Sequence, residues 1–168
     1  MSLIKGGQLE AGITELRATL GMRRGAGEVG RPHFAGIFAA AYGRAGQPVQ
    51  GLAVLEEGIE CMQRTGELLW EPELHWTRGE LLLMVSPDNA AQAGECFRHA
   101  VDCARRQGAK SWELRAALSL IRLWCEQGKR DEARTTLAEI YGWFTEGFDT
   151  RDLKEAKALL DELSQRMC

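Results

Sequence analysis

Apolar residues recur along the chain at helical spacing. Leu9, Ile13, Leu16 and Leu20 follow i, i+4, i+7 and i+11, and Leu52, Leu55, Ile59 and Met62 follow i, i+3, i+7 and i+10. At 3.6 residues per turn each set lies on one helical face. Alternating runs of Val, Ile, Thr and aromatic residues, the mark of a half-buried strand, are scarce. The pattern predicts an all-α fold.

The helices also repeat. A small residue followed four positions later by a large apolar one recurs as Gly12/Leu16, Gly51/Leu55, Ala93/Phe97 and Ala133/Leu137, at intervals of 39, 42 and 40. Five residues before the small one stands a turn glycine in three cases, Gly7, Gly46 and Gly128; Ser86-Pro87-Asp88 replaces it in the other, as a cap and N1 proline. An aromatic residue, Tyr42 or Trp124, precedes the turn glycine by four positions.

Each repeat then reads as helix A, tight turn, helix B. Helix A is expected at about 31–45, 70–85 and 111–127, and helix B at about 8–24, 47–64, 88–107 and 130–144. A final helix is expected over about 151–166, with Asp149 or Thr150 as its cap. The small residues have a steric purpose, because helices approach to roughly 8 Å only where a side chain is nearly absent. The expectation is an α-α superhelix: about three full helix pairs, an N-terminal half-repeat and a C-terminal capping helix. Met1-Ser2-Leu3 reads as an expression scar, followed by one repeat domain over residues 4–168.

The spacing small–x3–large–x2–small, as in Ala93, Phe97 and Ala100, resembles the second helix of a tetratricopeptide repeat. Tyr42-x3-Gly46 and Trp124-x3-Gly128 extend the likeness. The period near 40 exceeds the 34 residues of that repeat, and Ile121 stands where helix A should carry a small residue. Three stretches, LHWTRGELLL (74–83), CFRHAVDCARRQGAKSWELRAALSLIRLW (96–124) and GWFTEGFDTRDLKEAKALLDEL (142–163), resemble a narrower group. They are similar to the C-terminal repeats of large bacterial signalling proteins, in which these repeats follow an AAA/STAND-type ATPase. There an N-terminal output domain, a class III adenylate/guanylate cyclase or a DNA-binding regulator, comes first. The resemblance implies a cytoplasmic sensor or scaffold fragment. It carries over no catalytic residue, because cyclase aspartates and the phosphate loop have no counterpart here.

GAGEVG, Gly25 to Gly30, matches the dinucleotide fingerprint G-x-G-x-x-G letter for letter. That fingerprint needs a preceding strand and an acidic residue about 20 positions on. Here ITELRATLGMRR before it is helical in period, and Glu56 and Glu57 lie too far along. Gly27 instead falls 15 residues after Gly12, as Gly66 does after Gly51 and Gly108 after Ala93. The stretch is one copy of an inter-repeat turn.

Composition narrows the function classes. Net charge is −3 with both signs interspersed, so no basic footprint points to direct nucleic-acid binding. No run approaches the length of a membrane span, and the first residues lack the apolar core of a secretory signal. The five cysteines are odd in number and lie within helical patterns, as reduced thiols of a cytoplasmic protein do. Cys96, His99 and Cys103 share a helix face, and Cys61 or His75 would complete a tetrahedron. The absent C-x2–4-C knuckle and the equivalent repeat positions of Cys61 and Cys103 favour packing, and no metal is expected. His33, His75 and His99 are dispersed and no nucleophile elbow is present, so neither an enzyme nor a cofactor is expected.

A solenoid's usual function is to offer a surface, lined on its concave side by stacked A helices. Repeat register places His33, Arg44, Glu73, Trp76, Glu80, Arg115, Arg122 and Glu126 there. Trp76 is the expected anchor for a protein or peptide partner, or for the parent's own ATPase and output domains. Leu9, Ile13, Leu16 and Leu20 belong to a helix B without its helix A, and are expected to pair in a homodimer or fold back. Trp70 and Trp112 are expected to cover the core at the mouth of helix A, and Trp143 and Phe144 to seat the final helix.

Overall fold

The computed structural model describes residues 11–12 and 30–165. Among them are seven α-helices, two short 3-10 turns and no strand. The helices are α1 (Arg31–Arg44), α2 (Pro48–Thr65), α3 (Glu71–Val85), α4 (Ala90–Gln107), α5 (Lys110–Glu126), α6 (Arg130–Tyr141) and α7 (Arg151–Gln165). The expectation of an all-α fold holds, and each helix expected beyond residue 30 lies within about three residues of the observed bounds. The first helix B, with its stripe of Leu9, Ile13, Leu16 and Leu20, lies outside the described residues apart from the helical pair 11–12.

The joints between helices repeat at the level of backbone angles. After α1, the Gly46 N–H donates to the Gly43 carbonyl at 3.0 Å and the Gln47 N–H to the Tyr42 carbonyl at 2.9 Å. After α5, Gly128 donates to Cys125 at 3.1 Å and Lys129 to Trp124 at 2.9 Å. This is the same Schellman closure twice, and it requires a left-handed residue that only glycine adopts cheaply. Gly46 and Gly128 meet it with φ of 74° and 80°.

The joints from a B helix to the next A helix share a turn but not a closure: Gly66 donates to the Met62 carbonyl, whereas Gly108 donates to Arg105 and Ala109 to Ala104. Gly66 (φ 72°) and Gly108 (φ 66°) end α2 and α4. Leu68 donates to the Gly66 carbonyl at 3.0 Å and Lys110 to the Gly108 carbonyl at 3.1 Å. The central residues, Glu67 (φ −79°, ψ 72°) and Ala109 (φ −84°, ψ 72°), hold the inverse γ-turn conformation. The glycine ruler read from the sequence is therefore a ruler of turns. Where Ser86-Pro87-Asp88 stands in for a glycine, Ser86 Oγ accepts from the Asp88 N–H at 3.2 Å, as a cap should.

The described residues divide into two compact units that meet inside α4, one ending at Ala93 and the other beginning at Gly94. In the first, α1, α2 and α3 pack on one another around Ala39, Leu55, Ile59, Met62, Leu74 and Leu81. Burying each of the larger side chains is worth roughly 1.5–3 kcal/mol. Gly51 and Gly58 permit the contact: a Cβ on Gly51 would lie 2.9 Å from the Ala39 carbonyl oxygen, and one on Gly58 would collide with the Ala35 methyl. In the second, α5, α6 and α7 pack on one another and bury Leu114, Ile121, Leu137, Ile140, Leu153, Ala156 and Leu163. Ile121, large where a small residue was expected, is completely buried.

One burial pattern recurs in the B helices. Gly51, Leu55, Gly58, Cys61 and Met62 are buried on α2, and Ala93, Phe97, Ala100, Cys103 and Ala104 on α4. The two sets occupy equivalent positions, as the small–large spacing predicts. The expected seating role of Trp143 is corrected: its side chain is 65% exposed. Three residues after Ile140 in a chain already leaving the helix, it no longer shares the buried face.

Candidate functional site

The residues expected on the A helices fall in both units. In the first unit, α1 begins at Arg31 with Pro32 in its first turn, which brings His33 to the mouth of the helix. The His33 ring stacks on Trp70 with centroids 3.9 Å apart. Its Nδ1 lies 3.9 Å from Glu73 Oε2, beyond hydrogen-bond reach. Trp70 also packs against the cluster of Leu55, Met62 and Leu74, so its expected role in covering the core is met in this unit. Below it, Glu67 accepts the backbone N–H of Gly30 at 3.0 Å and fixes the entry to α1. Anions at a helix N-terminus are favoured by the unpaired N–H groups there.

Further along α3, Glu73, Trp76 and Glu80 are spaced by three and four residues, and each is half-buried. Arg44 is exposed at the end of α1. The structure thus gathers His33, Trp70 and Glu73 into one cluster, with Trp76 and Glu80 continuing the α3 row.

In the second unit the expected arginines are engaged. Arg115 donates to Asp152 Oδ2 from Nε at 3.1 Å and from Nη2 at 2.8 Å, and its guanidinium lies 4.8 Å from the centre of the Trp112 ring. Arg122 pairs with Glu155. Both partners are on α7, so this part of the A-helix face is covered by the final helix. Glu126 is exposed at the end of α5.

Sequence reasoning missed Glu113. Its side chain is only 4% exposed, yet it is ionised, accepting Arg105 Nε at 2.7 Å and Lys110 Nζ at 2.8 Å. Burial pushes the carboxyl pKa up, but the hydrogen bonds from Lys110 and Arg105, with their charges, outweigh it and hold the value below the ordinary one. The same bond raises the Arg105 guanidinium above its usual value. A signal did exist: Trp112-Glu113 repeats Trp70-Glu71, at the same distance from Gly108 and Gly66. The pair locks the end of α4 to the start of α5. Lys110 also sits 4.1 Å from the exposed Trp143 ring.

Of the cysteines weighed as ligands, Cys103 is buried and accepts a hydrogen bond from Arg106 Nη2 at 3.1 Å, Cys96 is half-buried, and His99 is exposed. Cys61 is buried on α2, as a small packing residue. None of Cys61, Cys96, Cys103 and Cys125 is in a disulfide. Among the described residues, no helix is long and apolar enough to cross a membrane.

Comparison of the chain with protein-family models, with curated proteins and with solved structures finds no significant match.

Proposed function

We propose that this chain is a noncatalytic helical-repeat module of tetratricopeptide type that binds a protein or peptide. What supports the reading is the recurrence of joints: the Gly46 and Gly128 closures share their bonds, and Gly66 and Gly108 share a left-handed glycine with an inverse γ-turn after it. Recurring turns of this kind are what a protein built from copies of one helix pair requires. The docking face lies along α1 and α3 of the first unit, at His33, Arg44, Glu73, Trp76 and Glu80, with Trp76 as anchor. The module acts as a cytoplasmic C-terminal sensor or scaffold of a bacterial signalling ATPase, and relays occupancy to ATPase and output domains that precede it.

The test begins with cross-linking in cells, identification of the bound protein, and titration of the two purified partners. Trp76→Ala should weaken that binding by about tenfold or more, as truncating a hot-spot aromatic does. Unchanged affinity in both Trp76→Ala and Arg44→Glu removes this face from the function. The reading frame upstream of Ile4 then discriminates a cyclase from a DNA-binding output domain.

A further inference from the structure

Helix α7 contacts α5 and α6 through one narrow seam, in which Leu153, Ala156 and Leu163 are buried. Immediately before each of these stands an acid: Asp152, Glu155 and Glu162. Each acid meets a different arginine of the receiving surface. Asp152 takes Arg115, Glu155 takes Arg122, and Glu162 lies 3.7 Å from Arg130. Arg115 and Arg122 are two turns apart on α5, so they form one row. The α5–α6 surface therefore reads a doubled pattern, an apolar contact with a carboxylate beside it, three times along one helix.

We propose that this surface is an acceptor for acidic amphipathic helices and that α7 is its resident occupant, displaced when a partner protein supplies a helix of the same pattern. The proposal rests on the interaction-module reading and names the chemistry of the ligand. The ion pairs are partly exposed and individually weak, so they serve less to hold α7 than to select which helix fits. Residues 142–150, which join α6 to α7, contain no helix and are exposed except at Phe144. Helix α7 can therefore leave its seat without unwinding a neighbour. Its tether keeps it at high local concentration, which excludes weak competitors and admits only a partner matching both seam and charges.

The experiment uses the full chain and a fluorescein-labelled synthetic peptide of residues 151–165, followed by anisotropy. The peptide should bind saturably, and more tightly to the Glu155→Arg chain, whose own α7 then repels Arg122. On the Arg122→Glu chain, whose resident α7 competes equally with either peptide, one carrying Glu155→Arg should bind about fivefold tighter than the wild-type peptide, which a misfolded variant would not allow. Three results overturn the proposal. The peptide binds neither the wild-type nor the Glu155→Arg chain; or the wild-type and Glu155→Arg peptides bind the Arg122→Glu chain equally; or the chain is a dimer that excludes the peptide, which assigns the surface to a second copy. Because the titration probes α5 and α6 alone, it stands apart from the Trp76 test of the first unit.

Discussion

Gly58 on α2 and Ala35 on α1 stand so close that a Cβ on the glycine would fall inside the Ala35 methyl group. The obstacle is a Cβ fixed to the backbone, so the helices themselves must separate to relieve it. Overpacking of this kind costs about 1–3 kcal/mol, against a helix-propensity gain for Gly→Ala near 1 kcal/mol. Gly58→Ala should therefore lower stability by up to about 2 kcal/mol in chemical denaturation. Adding Ala35→Gly should restore part of it by moving the vacancy across the contact. Independent, additive effects of the two substitutions would show that the helices do not meet there.

Glu113 should shape the acid limb of the stability curve. Its carboxyl pKa is depressed in the folded chain, so its contribution is fully present above the unfolded value and is lost as pH falls through the folded one. Glu113→Gln should cost about 1–3 kcal/mol at neutral pH, since a buried charge-assisted bond is replaced by weaker ones. The loss should shrink below the ordinary carboxyl range, where the wild-type chain is itself becoming protonated. Denaturation midpoints of both proteins between neutral pH and acid measure this, and a gap that is constant with pH contradicts it.

Two tryptophans should behave oppositely. Trp70 packs on the first unit's core and stacks on His33, so Trp70→Ala should cost about 2–4 kcal/mol. Trp143 is exposed and is linked chiefly to Lys110, so Trp143→Ala should cost about 1 kcal/mol or less. Thermal melts rank the two, and acrylamide should quench a smaller share of emission once Trp143 is gone.

Thiol labelling under native conditions, mapped peptide by peptide, should leave Cys61 and Cys103 unmodified until the chain unfolds. Cys125 should label slowly for a half-buried thiol, because burial raises its pKa and lowers the thiolate fraction. Labelling of Cys61 or Cys103 as fast as a free thiol would contradict the packing described for α2 and α4.

Much of the fold was legible because a glycine marks four of the joints and a Ser-Pro-Asp cap another. Gly46, Gly66, Gly108 and Gly128 are spaced in the sequence as they act in the structure, and the small–large pairs lie where burial repeats. Side-chain pairing was less legible. Arg115 and Arg122 have the register of an open face, yet their partners, Asp152 and Glu155, come from a helix some 35 residues on. Helical period fixes which way a residue points but not what arrives to meet it. Glu113 was hidden for the same reason, since a Glu in the first turn of a helix reads as solvated until Arg105 folds back over it.

The twin turns at Gly66 and Gly108 carry a practical consequence. A segment cut just after Gly66 and just after Gly108 meets the same left-handed glycine and γ-turn at both cuts. Duplicated in tandem, such a cassette would keep its turn at every junction and leave the bonds that close the preceding helix to be rebuilt. The chain would then lengthen by whole helix pairs.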